Sequence, residues 1–89
     1  MATVRITRGF EADLDMVLSE KVLKDILHTV AMLETIPSMG SSDTPESIQR
    51  AFGDSVRKIP VKPFDIVTRY DSEEDIVDVL GLVHQRAAF

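Results

Sequence analysis

The sequence predicts an α+β fold, with two helices packed on one face of a mostly antiparallel four-stranded sheet in the order β-α-α-β-β-β. Three observations carry this prediction. Residues 3–7 alternate between apolar and polar. Apolar residues then recur at helical spacing as far as residue 36. Near residue 56 the period changes to two.

Thr3 to Thr7 forms the first strand, with Val4 and Ile6 on one side and Thr3, Arg5 and Thr7 on the other. Gly9 punctuates it. Phe10, Leu14, Val17 and Leu18 predict a first helix over about residues 10–18. Ser19 can cap a second helix, whose stripe is Val22, Leu23, Ile26, Leu27, Val30, Leu33 and Ile36. Pro37 stops it, because the residue before proline is pushed out of the helical region. Residues 37–55, PSMGSSDTPESIQRAFGDS, are a long connection. Thr44-Pro45-Glu46 starts one or two helical turns inside it, and Gly53 stops them.

From Val56 the chain reads as strands. The first is VRKIPV, with Ile59 and Val61 on one face and Pro60 and Pro63 marking an edge. Phe64 to Tyr70 is the next, Asp71 to Glu74 make a turn, and Asp75 to Val83 is the last. The expected core is Leu14, Ile26, Leu27, Val30, Leu33, Ile66, Val77 and Val79. Pairing Tyr70 with Asp75 puts Phe64, Ile66, Thr68, Val77, Val79 and Val83 on the helix-packed face. Asp65, Val67, Arg69, Ile76, Asp78, Leu80, Leu82 and His84 then share the other face. That second face is half apolar, so the long loop, a partner or a second copy of the chain could cover it.

The 89 residues make a single domain, 1–89, and 44% of them are hydrophobic, which excludes disorder of the whole chain. There is no cysteine, hence no disulfide, thiolate metal site or cysteine nucleophile. The histidines, His28 and His84, are not at metal spacing, and the acids around Glu73 lack the periodicity of a calcium loop. No cofactor or metal is expected. No apolar run approaches the ~18 residues of a membrane span, and no secretory core opens the chain, so a cytoplasmic protein is expected.

The net charge of −5 is the wrong sign for coating nucleic acid. Its distribution is uneven. Residues 50–69 hold five basic residues against two acidic ones, while residues 71–78 hold five acids and no base. The basic stretch, with Arg57, Lys58 and Lys62, is either a solvated surface or a face for an acidic partner.

The stretches VRKIPVKPFDIVTRYDSEEDIVDVLGLVHQR and LETIPSMG resemble the RelE/ParE superfamily of bacterial type II toxins. The first is similar to the family's C-terminal half. It has an arginine-bearing strand, a hairpin with an acidic turn, and a hydrophobic strand running into a histidine and basic residues. The second is similar to its helix end, proline and glycine. The resemblance covers about residues 4–83, most firmly 33–86, although the helical hairpin is shorter than usual for the family. It implies a toxin-like component of a type II toxin–antitoxin (plasmid stabilisation) system, neutralised by a cognate antitoxin.

Two branches of the family are implied. Ribosome-dependent mRNA endonucleases need a base and fixed positive charge for the phosphate. Their arginine at the start of the third strand matches Asp65 here, whose carboxylate would repel the phosphate. Arg69 lies four residues on, about 13 Å at strand rise. The ParE-like pattern, with arginine near that strand's end, fits Arg69. The expected function is therefore ParE-like, acting by binding a target such as DNA gyrase. The expected partner-binding residues are Arg57, Lys58, Lys62, Arg69, Leu80 and Leu82. The first alternative is an endoribonuclease using His84, Arg86 and Arg57 with ribosome and mRNA as partners. The second is a non-toxic interaction module with the same fold. A homodimer is a further possible assembly.

Overall fold

The computed structural model describes residues 1–87. Its elements are β1 (Thr3–Ile6), α1 (Arg8–Asp13), α2 (Glu20–Met32), α3 (Glu46–Phe52), β2 (Arg57–Val61), β3 (Phe64–Asp71) and β4 (Ile76–His84), with single 3₁₀ turns at Leu14–Met16 and Gln85–Ala87. The strands form one sheet in the order β1-β4-β3-β2. β1 runs parallel to β4, and the other pairs are antiparallel. This is the expected α+β architecture with one helix more, since α3 is a full element. Of the expected C-terminal tail, Ala88 and Phe89 lie outside the described residues.

The first helix starts earlier and ends sooner than its periodicity predicts. Thr7 caps it, accepting the Phe10 N–H at 3.3 Å. Gly9 lies inside it, where an added Cβ would stand 3.0 Å from the Leu80 carbonyl oxygen. The helix gives way to the 3₁₀ turn after Asp13, and Val17 is extended. The reason is a docking constraint: α1 closes the part of β4's edge that β1 is too short to cover. The Thr7 hydroxyl donates to the Val79 carbonyl at 2.7 Å, and the Asp13 carboxylate accepts the Leu82 N–H at 2.9 Å. Side chains thus complete a backbone ladder that buried strands otherwise need.

Ser19 caps α2 as predicted, accepting the Val22 N–H at 3.3 Å. Its buried stripe is narrower than the sequence suggests. Ile26, Val30 and Leu33 are buried, but Leu27 is 47% exposed and Ile36 46% exposed. Leu27 is therefore not a core residue. One row of the helix seats on the sheet, and Leu27 is turned from that row toward solvent.

The β3–β4 hairpin also differs from the expected register. Tyr70 pairs with Val77 instead of Asp75, a shift that leaves the faces near the turn unchanged. A bulge then falls between Val67–Gly81 and Thr68–Val79, so Leu80 has no partner on β3. With a side-chain period of two, one extra residue exchanges the faces of everything beyond it. Leu82 enters the helix-side core, Val83 moves to the opposite face, and His84 comes opposite Phe64.

Two cores result. The larger lies between α1, α2 and the sheet and includes Phe10, Ile26, Leu33, Ile59, Phe64, Ile66, Val77, Val79 and Leu82, with Leu14 packed partly buried against it. The smaller lies on the other face, where Ile48 and Phe52 of α3 cover Val56, Val67, Leu80 and Val83. The long connection thus supplies the cover for the half-apolar second face. Gly81 permits it, since a Cβ there would come within 2.7 Å of the Phe52 ring.

Thr68 is fully buried, and among the described residues its hydroxyl has no hydrogen-bond partner. A buried unpaired hydroxyl costs about 1–3 kcal/mol. Thr68→Val keeps the shape and removes that cost, so its chemical unfolding midpoint is expected to rise. A fall would show that the hydroxyl is satisfied in solution.

The two edges of the sheet differ. On β2, the outward N–H and C=O of Lys58 are both bonded to Ser41 at 2.9 Å, and Pro60 has no N–H to offer. On β1, the Thr3 N–H donates to the Asp75 carbonyl in the hairpin turn and the Thr7 N–H to the Val79 carbonyl of β4, which turns the backbone groups of Val4 and Ile6 away from β4.

Candidate functional site

The residues singled out in the sequence do not converge. Arg57 opens β2 opposite Thr68 and donates to the Gly40 carbonyl at 3.2 Å. His84 closes β4 opposite Phe64, four residues further along β3 and therefore about 13 Å away along the strands. The His84 ring meets Phe64 edge-on at 5.3 Å, and its Nδ1 accepts the Arg86 backbone N–H at 3.1 Å. Around it is a mostly apolar groove formed with Met16, Val17, Leu18, Val22 and Pro63. Arg86 is exposed.

Asp65 is buried on the opposite face at β3's start, where its carboxylate accepts an N–H of the Gln85 amide at 3.2 Å. The register gave no hint of this bond. The reversal of the chain at the 3₁₀ turn after β4 brings Gln85 back over β3.

Among the expected partner-binding residues, Lys62 and Arg69 are exposed and Lys58 half-buried. Leu80 is half-buried against the α3 cluster. Leu82 is 2% exposed in the main core. It is withdrawn from the surface by the bulge, so its assignment to a binding surface is corrected.

The sheet's second face carries a charge row of which the sequence places Arg69 and Asp78 together on one face but misses Arg5. Arg5 on β1, Asp78 on β4 and Arg69 on β3 are direct cross-strand neighbours. Arg5 donates to Asp78 through Nε at 2.6 Å and Nη2 at 2.9 Å, a bidentate fork. This hydrogen bonding and the positive charges of Arg5 and Arg69 hold the Asp78 carboxyl below the usual aspartate range, against a smaller opposing effect of burial. A carboxyl whose folded pKa is depressed stabilises the fold above its unfolded pKa, and that contribution is lost as pH falls through the folded value. Asp78→Asn is expected to flatten the acid limb of the stability profile, read by urea unfolding between neutral pH and pH ~3. An unchanged acid limb would count against the ion pair. The signal was available in the sequence, since a parallel β1–β4 pairing places Arg5 beside Asp78, but nothing in the pattern specified that pairing.

Tyr70, the chain's single tyrosine, donates its hydroxyl to Asp75 at 2.8 Å. That hydrogen bond raises its pKa above the ordinary tyrosine range. Ultraviolet titration of the phenol is expected to give a transition above the free-tyrosine value that falls in Asp75→Asn.

Residues 4–89 match the family described as "ParE toxin of type II toxin-antitoxin system, parDE", and the chain belongs to that family. Two solved structures are similar in fold. One is a chain of the toxin–antitoxin complex RelBE2 from Mycobacterium tuberculosis, with a TM-score of 0.68 and 19% identity over 93% of this chain and 96% of that one. The other, described as a metal-bound toxin from Helicobacter pylori, has a TM-score of 0.63 and 18% identity over 100% of both chains. Among the described residues of this chain, no group of three or more His, Asp or Glu could hold a metal ion. No curated protein matches the sequence.

Proposed function

We propose that this family member acts as a ParE-like toxin that binds its target, with DNA gyrase as that target and a cognate antitoxin as its neutralising partner. The observation that carries the reading is the separation of His84 from Arg57, together with the buried Asp65 at the strand position where the nuclease branch has its arginine. Phosphate cleavage needs base and cations around one reacting centre. Here Asp65 lies beside Gln85, the residue that follows His84, and accepts from its side-chain amide.

The test is inducible expression with growth measured, followed by purified assays of gyrase supercoiling and of mRNA cleavage on ribosomes. Growth arrest with impaired supercoiling supports the reading. Ribosome-dependent cleavage that is lost in His84→Ala overturns it in favour of an endonuclease. Asp65→Arg in the same assays asks whether the acid is what stands against cleavage.

The antitoxin is expected to use the basic stretch Arg57, Lys58 and Lys62. Rim charges act mainly on association rate and salt dependence. Arg57→Glu combined with Lys58→Glu should slow association with the antitoxin and flatten its dependence on salt. Binding indifferent to both changes moves the interface elsewhere.

A further inference from the structure

On the sheet face opposite α2, a cleft opens between the α3–β2 turn and the β3–β4 hairpin. Arg5, Asp78 and Arg69 line it from three adjacent strands, with Ser55 and Ser72 at its sides and Asp71 and Glu73 at its rim. Asp78 lies between two guanidinium groups, but Arg5 occupies both of its oxygens. Arg69, its direct partner across β3–β4, is exposed, and its guanidinium makes no hydrogen bond or ion pair among the described residues, acting on Asp78 only through its charge. A cross-strand arginine opposite an aspartate ordinarily pairs with it. Here the fork from β1 wins, because two parallel N–H···O bonds at one carboxylate outweigh a single contact.

We propose that Arg69 is a binding point for a carboxylate side chain of a partner protein, and that Arg5 is a positioning residue which keeps Arg69 available by holding Asp78. The cleft specifies the surroundings of that carboxylate. Asp71 is fixed at the rim, its Oδ1 accepting the N–H groups of Glu73 and Glu74. Glu73 stands beside it, so a run of negative charge is repelled while a single Asp or Glu between basic or neutral residues is accepted. The Ser55 and Ser72 hydroxyls can donate to the same carboxylate. The inference deepens the binding role proposed above and rests on it. Its test uses no cellular target, so either can fail while the other stands.

The probe is the peptide acetyl-Lys-Ala-Glu-Ala-Lys-amide, titrated at low salt into the folded protein while the arginine Nε–Hε resonances are followed by NMR. Arg69 is expected to shift saturably and Arg5 much less, since its Nε–H is already engaged. In Arg5→Gln, Asp78 turns to Arg69, so the Arg69 resonance should move before any peptide is added and peptide affinity should fall several-fold. Arg5→Gln combined with Asp78→Asn should restore the affinity, which a merely structural role of Arg5 would not produce. A silent Arg69 in the wild type, or an undiminished response in Arg5→Gln, overturns the proposal. So does a stronger response to hexaglutamate or to a short single-stranded oligonucleotide, which would make the cleft a polyanion site. Amide spectra of each variant establish that it is folded.

Discussion

Leu33→Ala is expected to lower the unfolding free energy by about 2–5 kcal/mol, while Leu27→Ala, on the same helix, should change it by no more than about 0.5 kcal/mol. Leu33 is fully buried at the end of α2, within the core formed with Phe10, Ile26 and the sheet. Truncating it removes methyl groups from a close-packed interior and leaves a cavity that the flanking strands cannot collapse into. Leu27 keeps nearly half of its surface in water. Its replacement by the best helix former offsets what little contact is lost. Urea unfolding of the two variants side by side is the measurement. Equal losses would mean that α2 is rotated about its axis relative to the structure described.

Gly40→Ala should be costly for a different reason. Gly40 has φ +98, a conformation that costs a residue with a side chain about 1–2 kcal/mol. An added Cβ would also run into the Lys58 carbonyl and the Ile59 side chain. The connection would have to lift from β2, breaking the paired Ser41–Lys58 bonds and the Arg57–Gly40 bond. A total of about 2–4 kcal/mol is expected from strain and overpacking together. Gly53 is the internal control, with φ +95 but open space around the missing Cβ. Gly53→Ala should cost only the strain, about 1–3 kcal/mol. Faster amide exchange at Ser41 and Lys58 in Gly40→Ala, with none in Gly53→Ala, would separate the clash from the strain.

The element order and the sheet were legible because each rests on a local signal. The alternation at Thr3–Thr7, the Ser19 cap and the change of period near Val56 all report backbone conformation directly, whereas α2 ends at Met32, ahead of the stop expected at Pro37. The failures are tertiary. The bulge at Leu80 leaves one faint mark in its own strand, the adjacent Gly81, within a run from Val79 to Val83 that otherwise reads as apolar. Its cause is on α1, where Thr7 and Asp13 take the backbone groups of Val79 and Leu82. That single offset moved Leu82, Val83 and His84 to faces the hairpin register could not foretell. Leu27 failed because helical spacing defines a stripe but not its width, which depends on how flatly α2 lies on the sheet. The Arg5–Asp78–Arg69 row needed the β1–β4 pairing, a contact between the two ends of the chain, whereas the basic stretch of Arg57, Lys58 and Lys62 is continuous and therefore visible.

The unequal edges of the sheet bear on how copies of this protein can meet. Strand-on-strand growth into a fibre needs two competent borders on every molecule, one to receive and one to offer. Here the Ser41 bridge and Pro60 make β2 a dead end, so among the described residues the Val4–Ile6 border is the one that can accept a neighbour. Two molecules joined there would show only sealed borders outward, and polymerisation through the sheet would stop at that pair.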